Sequence, residues 1–135
     1  MNRANRRRKE KEAAKPLSLA RIGLVIDDML VFVDRVGRGL PIDVEPLNNA
    51  ASVIPIIERL EKRVGATPFN TLPLRNMMHR IKQGQAVEQE QLEHYAAFIK
   101  HTARLLRSTT NAVYDELLVD MSILLELDTN EETEW

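Results

Sequence analysis

Residues 88–127 contain no proline and no glycine, the two residues that most readily interrupt a helix. Two seven-residue series of apolar or small side chains run through this segment, as is typical of helices that pack against one another: Leu92, Ile99, Leu106 and Val113; and Ala96, Ala103, Thr110, Leu117 and Leu124. The segment therefore predicts one C-terminal helix of about 60 Å, at about 1.5 Å per residue. The weakly helical residues 108–111 leave a break at that point as the alternative.

A first helix is predicted from Ser18, a good N-cap residue, to about Val36, with Gly37 and Gly39 as stop signals. Most of its apolar side chains share one face of a helical wheel: Ile22, Val25, Ile26, Met29, Leu30, Val33 and Val36. Leu24 and Val31 fall in the polar arc instead, so we expect another helix or another subunit to cover them.

Two shorter helices are predicted between residues 44 and 83. The first runs over about 44–64 with Asp43 as its cap and a kink near Pro55, or begins only at Ser52, which would place Pro55 in its first turn. Gly65 ends it. The second runs over about 72–83, with apolar side chains at i, i+3, i+4 and i+7, and ends before Gly84.

The fold class predicted from these elements is an all-α helical bundle of four helices, or of five if the last one breaks, with a long C-terminal helix. Aromatic residues make up only 4% of the chain and apolar residues 44%, which suits a core of interleaved aliphatic side chains. We divide the chain into a flexible basic arm (1–16), a single helical domain (17–127) and a disordered acidic tail (128–135).

Charge is distributed very unevenly, although the net charge is only −1. The N-terminal arm is strongly basic, and a segment of this kind neutralises nucleic-acid phosphates without recognising the base sequence. The arm residues expected to contact phosphates are Arg3, Arg6, Arg7, Arg8, Lys9 and Lys11. A second basic region follows on the middle helices: Arg59, Lys62, Arg63, Arg75, Arg80 and Lys82. The last basic residue is Arg107, and the chain after it is acidic. Nucleic acid is therefore a possible partner of the arm.

No residue pattern in the sequence points to catalysis, a cofactor or a metal. The chain has no cysteine, no glycine-rich phosphate loop and no Gly-x-Ser-x-Gly elbow. Glu90, His94 and His101 fall close to one helix face, but the Glu-x-x-His spacing of di-iron bundles is absent. We therefore predict a protein that is not an enzyme and that has no cofactor and no metal site.

Apolar runs in the sequence are too short for a membrane span, which needs about 20 residues. Arg21, Asp27 and Asp28 also interrupt the apolar region that a secretory signal would need. We expect no membrane association and a place inside the cell that makes the protein.

The start of the chain, MNRA at residues 1–4 followed by Arg6 and Arg7, resembles the "MNRAxRR" opening of many small proteins of tailed bacteriophages, including tail-assembly and other accessory proteins. The resemblance covers about eight residues. It implies a viral gene product that acts in the bacterial cytoplasm or in the virion, and it assigns no functional residue.

Together these features predict a homo-oligomeric, non-catalytic interaction protein that binds an unidentified protein partner in assembly or in host regulation. The residues expected to carry self-association or partner binding are the two outlying apolar side chains of the first helix and the apolar positions of the heptad series: Leu24, Val31, Leu92, Ile99, Leu106, Val113, Leu117 and Leu124. The alternative is a nucleic-acid-binding packaging or regulatory factor that uses the basic arm.

Overall fold

The computed structural model describes residues 6, 7, 10, 11 and 14–120. Four helices are complete within this part of the chain: α1 (Leu19–Gly37), α2 (Val44–Val64), α3 (Leu72–Lys82) and α4 (Gln89–Arg107). Residues 111–120 are also helical and are called α5 here. The predicted all-α bundle is confirmed, with α1, α2 and α3 all packed against α4. The predicted acidic tail and Leu124 lie outside the described residues.

The helix ends follow the local signals of the sequence. The Ser18 hydroxyl accepts a hydrogen bond from the backbone N–H of Arg21 (3.2 Å), which satisfies a donor that the first turn of α1 would otherwise leave free. Gly65 ends α2 at φ +70°, a conformation that costs glycine little. Pro55 lies inside α2, so the longer of the two predicted versions of this helix is confirmed.

The core is centred on α4. Large side chains from every complete helix are at most 2% exposed there, among them Met29, Ile57, Leu60, Met77 and Leu106. Four aromatic rings form a continuous series of contacts through the bundle. Neighbouring centroids are 5.3–6.2 Å apart, in the tilted arrangement that aromatic pairs favour. The rings are, in spatial order, Phe32, Tyr95, Phe98 and Phe69.

The prediction of one unbroken C-terminal helix is wrong, and the alternative break is what the structure shows. α4 ends at Arg107, and the helix resumes at residue 111. The intervening backbone pairs with the segment that precedes α1: the N–H of Leu17 donates to the carbonyl of Thr109 (3.0 Å), and the N–H of Asn111 donates to the carbonyl of Lys15 (3.1 Å). These bonds replace the helical bonds lost at the break.

The connector between α2 and α3, residues 65–71, is fixed by a buried carboxylate. Glu61 is 3% exposed, and its Oε2 accepts the backbone N–H of Phe69 (2.6 Å) and lies 2.7 Å from Nε2 of His101. The Phe69 ring packs between the rings of His94 and His101. A buried charge is tolerated when it is paired and hydrogen-bonded, and here α4 and the connector supply both partners.

Candidate interaction surface

The outer face of α1 carries two exposed apolar side chains seven residues apart. Leu24 is 70% exposed and Val31 is 61% exposed. The sequence placed both residues outside the buried stripe, and no described helix of this chain covers them, so cover by another subunit stays a prediction. Leu19 and Leu30 of α1 are also exposed, at 80% and 48%, and other exposed apolar side chains lie elsewhere, such as Leu72 on α3.

The buried face of α1 is rotated slightly from the predicted one. Leu30, predicted to be part of the apolar face, is 48% exposed, whereas Phe32 is buried against the Tyr95 ring of α4 (centroids 5.5 Å apart). A large aromatic side chain buries more area than leucine, so the orientation of α1 that places Phe32 inside is favoured.

Most of the heptad positions belong to the core of a single chain. Ile99, Leu106 and Leu117 are at most 7% exposed, and Leu92 and Val113 are half-buried. Packing within the chain therefore accounts for this series. A helix that projected from the bundle would have left the same apolar face exposed to another subunit, but here α4 and α5 bury it against the bundle. Of the residues predicted to mediate association, Leu24 and Val31 are the exposed ones within the described part of the chain.

A groove of about 660 Å³ opens beside this face, between α1 and the N-terminal half of α2. Each helix contributes a stripe at i, i+3, i+4 and i+7, the spacing with which helices pack. The α1 stripe is Val25, Asp28, Met29 and Phe32, and the α2 stripe is Pro46, Asn49, Ala50 and Val53. Val31 and Ile42 extend the apolar lining, so the exposed stripe of α1 and the groove share a border.

The rim of the groove is acidic. Asp28, Asp43 and Glu45 line it, opposed by the single cation Arg35, whose guanidinium donates to the carbonyl of Pro41 (2.9 Å). Asp43 stands at the N-cap position of α2, but its side chain accepts no capping bond. None of the three carboxylates forms an ion pair within the described residues. No pattern in the sequence indicates this rim, because its residues come from two helices and a turn.

The two basic regions differ in how much of their charge is available. In the arm, the described residues Arg6, Arg7 and Lys11 are exposed and helical, whereas Arg3, Arg8 and Lys9 lie outside the described part. In the second region, several cations are paired with carboxylates of the same chain: Arg63 with Glu116 (2.6 Å), Arg75 with Glu58, and Arg80 with Glu88 (3.7 Å). A phosphate would have to compete with these ion pairs.

The histidines considered for a metal site point to the connector instead. His94 Nε2 lies 2.7 Å from the carbonyl oxygen of Asn70, and His101 Nε2 contacts Glu61. Glu90 is exposed in the first turn of α4. Within the described residues, no group of three or more potential ligands is arranged to hold a metal ion.

Comparison with known proteins gives no match: no family model, no curated protein and no solved structure matches this chain. In the part of the chain that the structure describes, no helix combines the length and the apolar character that crossing a bilayer requires.

Proposed function

We propose that this protein is a non-catalytic helical interaction protein that self-associates through the outer face of α1 and binds a protein partner in assembly or in regulation of a bacterial host. The observation that carries the proposal is the exposure of Leu24 and Val31 on one helix face beside an open groove. The resemblance of the first residues to small accessory proteins of tailed bacteriophages supports a place in the bacterial cytoplasm or in the virion.

A two-fold, antiparallel pairing of α1 is the arrangement that uses this face best. It places Leu24 of one copy opposite Val31 of the other, and the symmetry repeats each contact. Full burial of a leucine or valine side chain contributes about 1.5–3 kcal/mol, so four such side chains make a modest interface. Asp27 and Asp28 flank the stripe on either side, and their repulsion across the interface should be relieved by salt.

Sedimentation velocity over a concentration series tests self-association. We expect the wild type to sediment faster as its concentration rises, and more so at high salt. Leu24→Glu and Val31→Glu should each keep the chain monomeric. Leu72→Glu is the matched control, because Leu72 is 62% exposed on α3 and lies away from the α1 face. A wild type that stays monomeric at high concentration, with the size of the α1 variants unchanged, would refute this part of the proposal.

A second candidate function is sequence-independent binding of nucleic acid through the basic arm. It is favoured by the exposure of Arg6, Arg7 and Lys11 and by the anchoring of the arm at its C-terminal end, where Pro16 pairs with Thr110. Because the arm is fixed to the bundle at one end, its cations can reach the phosphates of a nucleic acid. The oligomeric state of the bundle would then determine how many arms bind together.

Binding to a generic DNA duplex across a salt series separates the two functions. The truncated chain should lack residues 1–13 only, because the carbonyl of Lys15 accepts the N–H of Asn111 at the helix break. If the arm is the binding element, affinity falls steeply with salt in the full chain and is lost in the truncated one. An absent or arm-independent affinity eliminates this second function.

A further inference from the structure

We propose that the groove between α1 and α2 binds a cationic amphipathic helix of a partner protein. This inference rests on the proposed function, since it assigns a site and a chemistry to the partner. It can be tested apart from self-association, because Leu24 does not line the groove, whereas Val31 borders both surfaces.

The groove has the form of a binding site for one additional helix. Its two walls are facing stripes at helical spacing, and its floor is apolar and buried at Met29, Phe32 and Ala50. An amphipathic helix that lies in such a groove inserts side chains from i, i+3, i+4 and i+7 between the two walls. Filling the groove would also cover part of the exposed Val31 side chain.

The charge of the rim selects the sign of the occupant. Asp28, Asp43 and Glu45 are unpaired within the described residues, and the one opposing cation, Arg35, already donates to a backbone carbonyl. Lysine or arginine on the polar side of a bound helix would meet these carboxylates at the rim, where long side chains keep their charged ends in water. An acidic helix would be repelled by the same groups.

Two segments of the chain itself fit the groove less well. The N-terminal arm has the right charge, but its apolar side chains are only Met1 and alanines, which leave the apolar floor unfilled. Residues 121–127 are apolar enough, but the acidic residues within and after them have the same sign as the rim. A partner helix with both large apolar anchors and basic residues satisfies floor and rim together.

Titration of labelled peptides into full-length protein tests the proposal by fluorescence anisotropy. The probe is an 18-residue leucine–lysine peptide with leucine at i, i+3, i+4 and i+7. Its controls are the leucine–glutamate counterpart and a scrambled leucine–lysine peptide. The protein carries Leu24→Gln, which breaks the apolar stripe without a new charge beside Asp28, so that self-association does not compete. We expect binding of the periodic cationic peptide, at least tenfold weaker binding of the scrambled one, and none of the acidic one.

Variants of the groove locate the binding. The triple change Asp28→Asn, Asp43→Asn and Glu45→Gln should weaken binding of the cationic peptide about tenfold, since three exposed ion pairs with the peptide are lost. A matched triple outside the groove removes the same charge: Glu90→Gln, Glu93→Gln and Asp120→Asn. It should change affinity less than twofold. Asn49→Trp, which fills the groove from its exposed edge, should abolish binding, while circular dichroism confirms that the fold is retained.

Several outcomes would overturn the inference. Equal losses in the two triple variants, equal binding of the periodic and scrambled peptides, or unchanged binding in the Asn49→Trp variant would each show that the groove is not the site. Tighter binding of a peptide of residues 1–15 or of residues 121–135 would assign the groove to the chain itself. If the wild type sediments as a dimer but no peptide binds, the groove inference fails while self-association stands. If the peptide binds but the wild type is monomeric, the groove inference stands and self-association fails.

Discussion

The two ends of α2 use their carboxylates in opposite ways. Near the C-terminal end, Glu61 is buried against His101 and the backbone of Phe69, and Glu58 pairs with Arg75. Near the N-terminal end, Asp43 and Glu45 line an open groove without an ion pair in the described residues. Groups that a chain satisfies internally serve its stability. Groups that it leaves open on a concave apolar surface are available for a ligand. The same helix therefore holds the bundle together at one end and offers a binding surface at the other.

The largest expected effect is at Glu61. Glu61→Ala removes the buried oxygen that contacts both the Phe69 N–H and His101 Nε2, and two hydrogen bonds to a carboxylate, at about 1.5–3 kcal/mol each, together contribute about 3 kcal/mol or more. Urea denaturation should show a loss of that size in the free energy of unfolding. Glu61→Gln, which keeps an acceptor for the Phe69 N–H, should lose less and provides a folded variant if the alanine one does not fold. A loss below about 0.5 kcal/mol in both would mean that the C-terminal end of α2 is no more dependent on its carboxylates than the groove is.

Removal of the ring that covers this buried pair should cost less. Phe69 is half-buried and contacts both histidine rings and Phe98. Because a fully buried phenylalanine replaced by alanine costs about 3–5 kcal/mol, we expect about 2 kcal/mol for Phe69→Ala. Leu72→Ala, at an exposed side chain close by on α3, is the control and should change the stability little. Hydrogen exchange should also become faster at the Phe69 amide, since water would then reach the bond to Glu61.

Tyr95 in the core should give a smaller effect of opposite sign when its hydroxyl is removed. Its ring packs on Phe32 on the groove side and on Phe98 on the connector side, and its buried hydroxyl has no hydrogen-bond partner in the described structure. A buried polar group without a partner costs about 1–3 kcal/mol, so Tyr95→Phe should stabilise the fold by about 1 kcal/mol. Thermal unfolding of the two proteins at neutral pH measures the difference.

The same hydroxyl makes the stability depend on alkaline pH. Burial raises the pKa of Tyr95 above its ordinary value of 10.0, so above that pH the unfolded chain loses a proton that the folded chain keeps. The free energy of unfolding then falls as the pH rises, by at most about 1.4 kcal/mol per pH unit for this group. Tyr95→Phe should reduce this slope without abolishing it, because burial also raises the pKa of Tyr114. An identical slope in the two proteins would contradict the burial of the hydroxyl.

The boundaries of the helices could be predicted because they depend on neighbouring residues. Ser18 caps α1 with its own hydroxyl, and Gly65 supplies the left-handed residue that ends α2. The break after Arg107 could not be predicted in the same way. It depends on hydrogen bonds from residues 108–111 to Lys15 and Leu17, more than 90 positions away, while the apolar spacing of α4 and α5 continues across it. A pattern of neighbouring residues cannot identify hydrogen-bond partners that are so distant in the sequence.

The candidate site could be predicted only in part for a related reason. The exposure of Leu24 and Val31 follows from the period of one helix, so a helical wheel finds it. The groove requires the relative placement of α1, the turn before α2 and α2 itself. Glu61 did have a local indication: it lies among Ile57, Leu60 and Val64 in the apolar stripe of α2. The cations around it, Arg59, Lys62 and Arg63, are typical of an exposed helix face and oppose that indication.

The smallest expected effect is the change in stability when the groove loses its charges. Asp28→Asn, Asp43→Asn and Glu45→Gln together should change the free energy of unfolding by less than about 0.5 kcal/mol. Two effects on stability oppose each other in this variant. It loses the stabilisation of about 0.3–1 kcal/mol that an acidic residue near the N-terminus of α2 receives from the helix dipole. It is stabilised, however, because the repulsion among three like charges around the groove is removed. Urea denaturation at low salt measures the sum, and a second titration at high salt should bring it closer to zero because both terms are screened.

A loss above about 1.5 kcal/mol in this triple variant would mean that the groove carboxylates hold the fold together as Glu61 does, and the contrast between the two ends of α2 would disappear. A change near zero, combined with weaker binding of the cationic peptide, separates stability from recognition on one helix. Since the bundle would then gain nothing from keeping three acids at this rim, binding would be the property that they serve.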